Sequence, residues 1–223
     1  MDTLTAIYRS SVGKKIVVAL TGLFLCVYLI VHLGGNLLLF RCDGGASFNA
    51  YAEFLPNLLV IRIIEILLFA IFIGHILTGT ILWILNRRAR PRKYLVNNPQ
   101  DNSSWFSRAM FLTGSIVFIF IVVHMGQFWY PSRYSHAEGF SMYALVVAAF
   151  SDPLYAGLYS VAMVLLAFHL RQGFQSASQT FGWRTRSSAR VIEALGVIFW
   201  LLIPLGFISM PVYFFGMSCH WFG

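Results

Sequence analysis

Five stretches of this chain are apolar enough and long enough to cross a membrane, and they limit its fold more than any other feature. A spanning helix needs roughly 20 mostly apolar residues. Of the 223 residues, 58% are hydrophobic and only 11% are charged, an apolar excess well above that of a soluble domain. We therefore predict an all-α bundle that forms a single membrane domain, residues 1–223. Its five transmembrane helices are expected at about 16–40, 58–86, 105–130, 152–174 and 191–215.

The distribution of Lys and Arg predicts how this bundle is oriented. With five helices, thirteen of the 16 basic residues fall on the side of the amino terminus, and only Arg41, Arg62 and Arg133 fall on the other. Basic residues concentrate on the cytoplasmic side of membrane proteins. We predict a multi-pass membrane protein with its amino terminus in the cytoplasm and its carboxyl terminus outside. The run RRARPRK at 87–93 indicates either lipid head-group contact or a docking surface for a cytoplasmic partner.

Four histidines lie in four different predicted helices: His32, His75, His124 and His169. An ionisable side chain in a membrane interior marks a functional site by default. Each histidine comes about sixteen residues into its helix, and successive helices run in opposite directions, so depth sorts the four into two pairs. We name His32 and His124 the outer pair, and His75 and His169 the inner pair.

Two neutral imidazoles that face each other can fill both axial positions of a haem iron. The four histidines therefore predict two haem groups, on the order of 15–20 Å apart in depth. Interhelical hydrogen bonds, a zinc or copper site and a proton relay are the alternatives. Gly79 and Gly173 each follow an inner histidine by four residues and would lie on its helical face. They would leave room for a flat macrocycle or, alternatively, allow tight helix packing, and the same holds for Gly35 beside His32.

Three stretches of the chain carry a resemblance to a known family: SSVGKKIVVALTGLFL at 10–25, RIIEILLFAIFIGHILTGTILWILNRRARP at 62–91 and HLRQGFQSASQTFGW at 169–183. Together they resemble the diheme cytochrome b membrane anchor of succinate:quinone oxidoreductase, or complex II. The resemblance is to the type with a single five-helix subunit, which is related to fumarate reductase cytochrome b. It implies a location in the bacterial cytoplasmic (inner) membrane. It implies two b haems, a flavoprotein subunit with FAD and an iron–sulfur subunit on the cytoplasmic side. It also implies a quinone substrate, more often menaquinone than ubiquinone, with the dicarboxylate chemistry in the other subunits.

The resemblance also implies roles for individual residues. His75 and His169 match the ligands of the haem nearest the iron–sulfur subunit, and His32 and His124 match those of the distal haem. Glu53 is the closest match in position to an acid that some members use at the quinone site. Ala167 stands where certain fumarate-reducing relatives carry a glutamate, which favours succinate oxidation here.

Haem propionates are anionic and would need polar partners at the predicted inner end of the bundle. The candidates, each of which could instead be an interfacial anchor, are Ser11, Lys14, Trp105, Arg171 and Gln172.

Several alternatives remain open from the sequence. The chain could serve as the anchor of a quinol:fumarate reductase, or of a quinone-linked hydrogenase or formate dehydrogenase. A small membrane transporter is the alternative of a different class, although no inverted repeat is visible. Pairing of Cys42 with Cys219 is also left open.

Overall fold

The fold is a bundle of five long helices. The computed structural model describes residues 10–89, 105–134 and 139–219, with side chains in the second range described from Arg108 onwards. Every regular element in these ranges is helical. Five helices are long and apolar enough to cross a membrane, and we number them spans 1 to 5: Ser11–Phe40, Leu59–Arg88, Arg108–Tyr134, Pro153–Thr180 and Ala189–Ser218. The prediction of an all-α fold with five apolar helices is confirmed, and its orientation in the membrane stays a prediction.

Capping side chains fix the first residues of spans 1 and 4. Span 1 begins at Ser11 because the hydroxyl of Ser10 accepts the Gly13 N–H at 2.8 Å. Span 4 begins after Asp152, whose carboxylate accepts two backbone N–H groups of the first turn. It continues through a polar segment to Thr180, beyond the expected end at 174, and stops beside Gly182 at φ 68°. The helices therefore extend beyond their apolar segments.

Two of the spans contain a π turn, in which the helix widens to accommodate an extra residue. In span 3 an α-helix, Trp105–His124, is followed by the π segment Met125–Trp129 and a last α-helical turn, Tyr130–Tyr134. In span 5 the π segment is Ile198–Leu202. The π turn of span 3 begins directly after His124.

Span 4 is the centre of the bundle. It packs against spans 1, 3 and 5, and span 1 packs against span 2 on its other side. Span 4 buries Tyr159, Met163 and Phe174, among others, whereas span 2 buries only Thr78 and Leu82. A helix that is apolar all round does not reveal which face meets protein and which meets lipid. The sequence therefore predicts five spans without predicting that the fourth is central.

The predicted outer end of the bundle is covered by two short helices, Ala46–Phe54 and Met142–Ser151. Asn49 joins them: its amide oxygen accepts the Tyr143 N–H at 2.8 Å, and its amide nitrogen donates to the Ser141 hydroxyl at 3.0 Å. Beneath them lies an apolar cluster whose buried members include Leu39, Phe48, Phe128, Phe150, Tyr159 and Phe214. The segments between the spans on this side are therefore packed helices and not simple loops.

A tight turn leads from span 1 into the first short helix. The Asp43 carboxylate accepts the backbone N–H groups of Gly45 and Ser47, both at 3.0 Å. A side-chain hydrogen bond from Ser47, supported by these backbone bonds, lowers the pKa of Asp43. Gly44 and Gly45 both have positive φ, 65° and 88°. A Cβ on Gly45 would overlap the Tyr143 ring, whereas one on Gly44 would meet nothing within 4 Å.

These two neighbouring glycines give a matched pair of substitutions. We expect Gly44→Ala to cost about 1 kcal/mol of stability, because it strains only the left-handed backbone. Gly45→Ala should cost roughly 1–3 kcal/mol more, because it also displaces the Tyr143 ring from its packed position. Thermal unfolding of the purified protein in detergent measures both variants. Equal losses of stability in the two variants would show that the Tyr143 ring of the second short helix does not limit the space at Gly45.

Candidate functional site

The structure brings the four histidines together as two facing pairs. The ring centroids of His32 and His124 are 5.9 Å apart with planes at 86°, and those of His75 and His169 are 6.5 Å apart with planes at 79°. An imidazole nitrogen lies about 2 Å from a first-row metal ion and about 1 Å from its own ring centroid, so two axial ligands place their centroids roughly 6 Å apart. Both pairs therefore have the centroid spacing of two imidazoles that share one metal ion.

A hydroxyl of span 1 lies beside the ring of His75. Thr21 Oγ1 is 2.8 Å from the Val17 carbonyl and 3.1 Å from His75 Nδ1. When the hydroxyl donates its single hydrogen to the Val17 carbonyl, it accepts from Nδ1–H of the ring. In that tautomer the neutral imidazole keeps its lone pair on Nε2, which is the form that binds a metal through Nε2.

Nδ1 of His169 makes no hydrogen bond to the described residues. It is buried, and the Met110 carbonyl approaches the ring without reaching hydrogen-bonding geometry. Buried polar side-chain atoms in proteins are nearly always hydrogen-bonded, and Met110 is the group nearest to serving as the partner of this ring. An interhelical hydrogen bond from Nδ1 to another side chain, the main structural alternative for a buried histidine, is not formed here.

A glycine of a neighbouring span lies close to the ring of each inner histidine. The sequence analysis missed this feature. A Cβ on Gly22 would lie 3.1 Å from Cε1 of His75, and one on Gly114 would lie 3.1 Å from Cε1 of His169. Only glycine therefore leaves the Nδ1–Cε1 edge of these rings its full space. The signal is present in the chain: each glycine belongs to a Leu-Thr-Gly triplet and precedes an outer histidine by ten residues. At about 1.5 Å per residue this places both near the depth of the inner pair.

The glycines that the sequence did single out adjoin neighbouring helices. A Cβ on Gly79 would meet Val18 at 3.8 Å, and one on Gly173 would meet Met110 at 3.7 Å, which are ordinary packing distances. A Cβ on Gly35 would overlap the Tyr51 ring of the first short helix. Close helix packing is the role that the structure favours for these three residues.

Aromatic rings surround the outer pair. Tyr28 stacks on His32 at 5.4 Å with planes at 13°, and Phe207 of span 5 contacts the same imidazole at 5.5 Å. The side-chain amide of Asn36 donates to the His32 carbonyl at 2.7 Å, and its nitrogen lies 3.5 Å from the ring Nδ1. Three rings, those of Tyr28, His124 and Phe207, thus lie within 6 Å of the His32 imidazole, centroid to centroid.

The environment of His124 is similar. Phe120 and Phe128 lie 5.8 and 5.5 Å from its ring. The Tyr159 hydroxyl is 3.3 Å from His124 Nδ1 and is the polar partner that orients the ring. The outer pair is therefore enclosed by aromatic side chains, whereas the inner pair has glycines and a threonine around it. Groups held by the two pairs would meet different surroundings, a factor that tunes metal-centred redox potentials.

The propionate candidates lie toward the predicted inner end, and their role stays a prediction. Ser11 is exposed in the first turn of span 1, where Lys14 is partly buried. The Arg171 guanidinium lies over the Trp200 ring of span 5, 5.1 Å from its centroid. Gln172 is partly buried in span 4. The third long helix begins at Trp105, whose side chain is outside the described residues.

Two acids near the predicted outer end have contrasting positions. Glu53 is exposed on the first short helix, and its backbone carbonyl accepts a bond from Asn57 at 2.9 Å. Glu65 instead projects between spans 2 and 3. Its carboxylate accepts hydrogen bonds from Trp129 and Arg133 and lies 3.4 Å from Arg62. Arg62 lies one helical turn from Glu65 in the sequence, whereas the contacts with Trp129 and Arg133 depend on span 3 facing this part of span 2.

The remaining metal-binding side chains are dispersed. Within residues 10–89, 105–134 and 139–219, no three His, Cys, Asp or Glu side chains come together as a metal site. Each histidine pair therefore offers a metal two imidazole nitrogens. Cys42 and Cys219 are both exposed free thiols, and Cys26 is buried in span 1.

No protein-family model and no solved structure matches the chain. The chain is similar to the succinate dehydrogenase cytochrome b558 subunit of Bacillus subtilis strain 168, with 26% identity over 191 residues, 84% of this chain and 88% of the relative. Taken with five helices of membrane-spanning length, this similarity indicates a multi-pass bacterial membrane protein. It confirms the resemblance of this chain to the cytochrome b membrane anchor of succinate:quinone oxidoreductase.

Proposed function

We propose that this chain is the diheme cytochrome b anchor of a succinate dehydrogenase, folded as a single membrane domain. It connects a flavoprotein and an iron–sulfur subunit on the cytoplasmic side with a quinone in the membrane, menaquinone in preference to ubiquinone. The observation that carries the proposal is the presence of two facing histidine pairs, each at the spacing of two axial ligands. Similarity to a relative named as a succinate dehydrogenase cytochrome b subunit supports the choice of enzyme.

In this proposal His75 and His169 hold the haem nearest the iron–sulfur subunit, and His32 and His124 hold the distal haem. A b haem held by such a pair would supply one-electron transfer. The chain's own residues prepare the ligands. Thr21 lies beside Nδ1 of His75, Tyr159 orients His124, and Gly22 and Gly114 keep space beside the inner rings.

The predicted inner end carries the groups proposed to hold the propionates and to receive the soluble subunits. Cationic and polar side chains suit both the propionates and an acidic docking surface. Arg87 and Arg88 close span 2 on this side, with the Arg87 guanidinium 4.9 Å from the centroid of the Trp83 ring. The residues proposed to bind propionates are Ser11, Lys14, Trp105, Arg171 and Gln172.

Succinate oxidation is the proposed direction. Ala167, two residues before His169, carries no ionisable group, so span 4 offers no carboxylate at the position where fumarate-reducing relatives of the family are expected to have one. An anchor of a quinol:fumarate reductase is the second candidate. The direction is tested by comparing succinate-dependent quinone reduction with quinol-dependent fumarate reduction in the same membranes.

Loss of one inner ligand should remove one haem. We expect His75→Ala and His169→Ala each to lower the haem content of the purified protein from about two to about one per chain, because a single imidazole leaves the iron without its second axial ligand. Pyridine haemochrome absorbance, divided by protein concentration, measures this ratio. His136→Ala, in a predicted loop outside the described residues, is the control. Full haem occupancy in either inner-pair variant would refute the assignment of that pair.

A larger residue at Gly22 should weaken the inner site selectively. Gly22→Val adds atoms beside Cε1 of His75, and overpacking of this kind costs about 1–3 kcal/mol, or roughly 5–150-fold in haem affinity. Gly34→Val is the matched control, because it makes the same change in span 1 at a position where a Cβ meets nothing within 4 Å. Haem retention during dilution, followed by absorbance, compares the two. If both variants retain haem like the unaltered protein, the glycine does not limit the inner site.

A further inference from the structure

A cleft opens between spans 4 and 5 at the predicted inner end of the bundle, and we call it the inner cleft. Its enclosed volume is about 40 Å³, which has room for roughly three water molecules or for the oxygen atoms of one phosphate group. The lining side chains that carry a polar atom are Arg171, Gln175, Ser178, Arg184, Glu193 and Trp200. Neither histidine pair lines the cleft, so the haem ligands do not explain it.

A π turn of span 5 forms one wall of the inner cleft. Trp200 lies in the π segment Ile198–Leu202, and the guanidinium of Arg171 lies over its ring, 5.1 Å from the centroid. π turns occur frequently at functional sites. Gly196 adjoins the same ring, since a Cβ there would lie 3.2 Å from Phe174 and 3.8 Å from Trp200. The widened turn and the close approach of the two spans thus bring the indole to a cation of span 4.

Arg171 points away from the inner histidine pair. It follows His169 by two residues, which is a rotation of about 200° around an α-helix. The ring of His169 faces His75 of span 2 and Gly114 of span 3, whereas the Arg171 guanidinium faces span 5. Arg171 is therefore the propionate candidate that lines the inner cleft.

Side chains of opposite charge line the inner cleft without contacting each other. Arg184 and Glu193 are both exposed. In the part of the chain that the structure describes, the ion pairs all involve Glu65, so Arg184 and Glu193 are not paired with each other there. Arg171 adds a second cation to the same cleft. The separate guanidinium and carboxylate groups suit a ligand that itself carries both a negative and a positive charge.

The inner cleft lies at the level expected of lipid head groups. From Arg171 to Ser178, span 4 covers about 10 Å toward the predicted inner end, and Trp and basic side chains are enriched at this interface. Basic pockets between spans on the cytoplasmic side are typical sites for lipid head groups. Exposed apolar side chains of span 5 continue from the cleft toward the middle of the membrane: Leu195, Ile198 and Leu202. A head group in the cleft would therefore have apolar surface beside it for its acyl chains.

We infer that the inner cleft binds a phospholipid whose head group carries a phosphate and a primary ammonium group, as in phosphatidylethanolamine. Arg171 and Arg184 donate to the phosphate oxygens, because a guanidinium binds phosphate through paired N–H groups. Glu193 accepts from the ammonium group, which has three N–H donors. An anionic lipid such as phosphatidylglycerol would satisfy the arginines but would leave the carboxylate without a cation.

In this inference Arg171 serves the lipid phosphate in place of a haem propionate. The other propionate candidates do not line the inner cleft. The lipid site does not depend on the proposed function, since neither histidine pair contributes to it.

The test measures which lipid the purified full-length chain retains, together with any subunits that accompany it. The protein in detergent is mixed with equal amounts of dioleoyl phosphatidylethanolamine and dioleoyl phosphatidylglycerol, and bound lipid is identified by native mass spectrometry. We expect the ethanolamine lipid to be retained in excess. Arg184→Gln should weaken the binding of both lipids roughly two- to fivefold, the range of an exposed ion pair. Arg186→Gln is the matched control, because Arg186 is exposed in the same segment but does not line the cleft.

Removal of the carboxylate should change the lipid preference. We expect Glu193→Gln to lower the ratio of retained ethanolamine lipid to retained glycerol lipid roughly two- to fivefold. The ammonium group then loses its charged acceptor, while the phosphate keeps both guanidinium groups. Glu53→Gln makes the same change in an exposed acid at the predicted outer end and should leave the ratio unaltered.

Several results would overturn the inference. Equal retention of the two lipids by the unaltered protein would show that the cleft does not recognise the ammonium group. Equal losses in Arg184→Gln and Arg186→Gln would indicate a general attraction to a basic surface. Displacement of the lipid by inorganic phosphate would indicate an anion site without a lipid preference. A loss of haem in Arg171→Gln with unaltered lipid retention would return Arg171 to the haem propionates.

Discussion

The cost of placing a polar side chain in lipid governs this structure. Water does not satisfy ionisable groups in the hydrocarbon region, so such groups must find partners inside the bundle or bind a cofactor. The four span histidines meet this requirement by facing one another, and Glu65 meets it through Trp129 and Arg133. Span 4, the centre of the bundle, contributes His169 to the inner pair and contacts His124 of the outer pair through Tyr159. The remaining surface of the spans is apolar and can face lipid.

A register of ten residues relates the two pairs. In spans 1 and 3, which contribute the outer histidines, the position ten residues earlier is a glycine that adjoins an inner histidine. In spans 2 and 4, which contribute the inner histidines, the equivalent positions are Glu65 and Tyr159. Small residues thus occur at the level of the inner pair and polar or aromatic ones at the level of the outer pair. The two sites differ in environment although their ligand sets are the same.

The sequence predicted the features that depend on composition and alternation. Long apolar segments have one stable form in a membrane, so five helices followed from hydropathy alone, and the alternating direction of the spans led to the grouping of the histidines. Features that depend on which span neighbours which could not be predicted. Gly22 and Gly114 matter only because spans 1 and 3 face His75 and His169, and Glu65 meets Trp129 only because span 3 faces span 2. The two short helices were not anticipated because their burial depends on the ends of four spans together.

The π turn after His124 has a consequence for how this helix can vary. It inserts an extra residue between the half of span 3 that holds the histidine and the half that holds Trp129 and Arg133. If the same residues formed a regular α-helix, everything beyond the turn would be rotated by about 100°, and Trp129 would turn away from Glu65 while His124 stayed in place. The widened turn therefore sets the angle between two neighbouring halves of one helix. Sequence changes beyond it can alter the contacts of Glu65 with Trp129 and Arg133 without moving the imidazole before it.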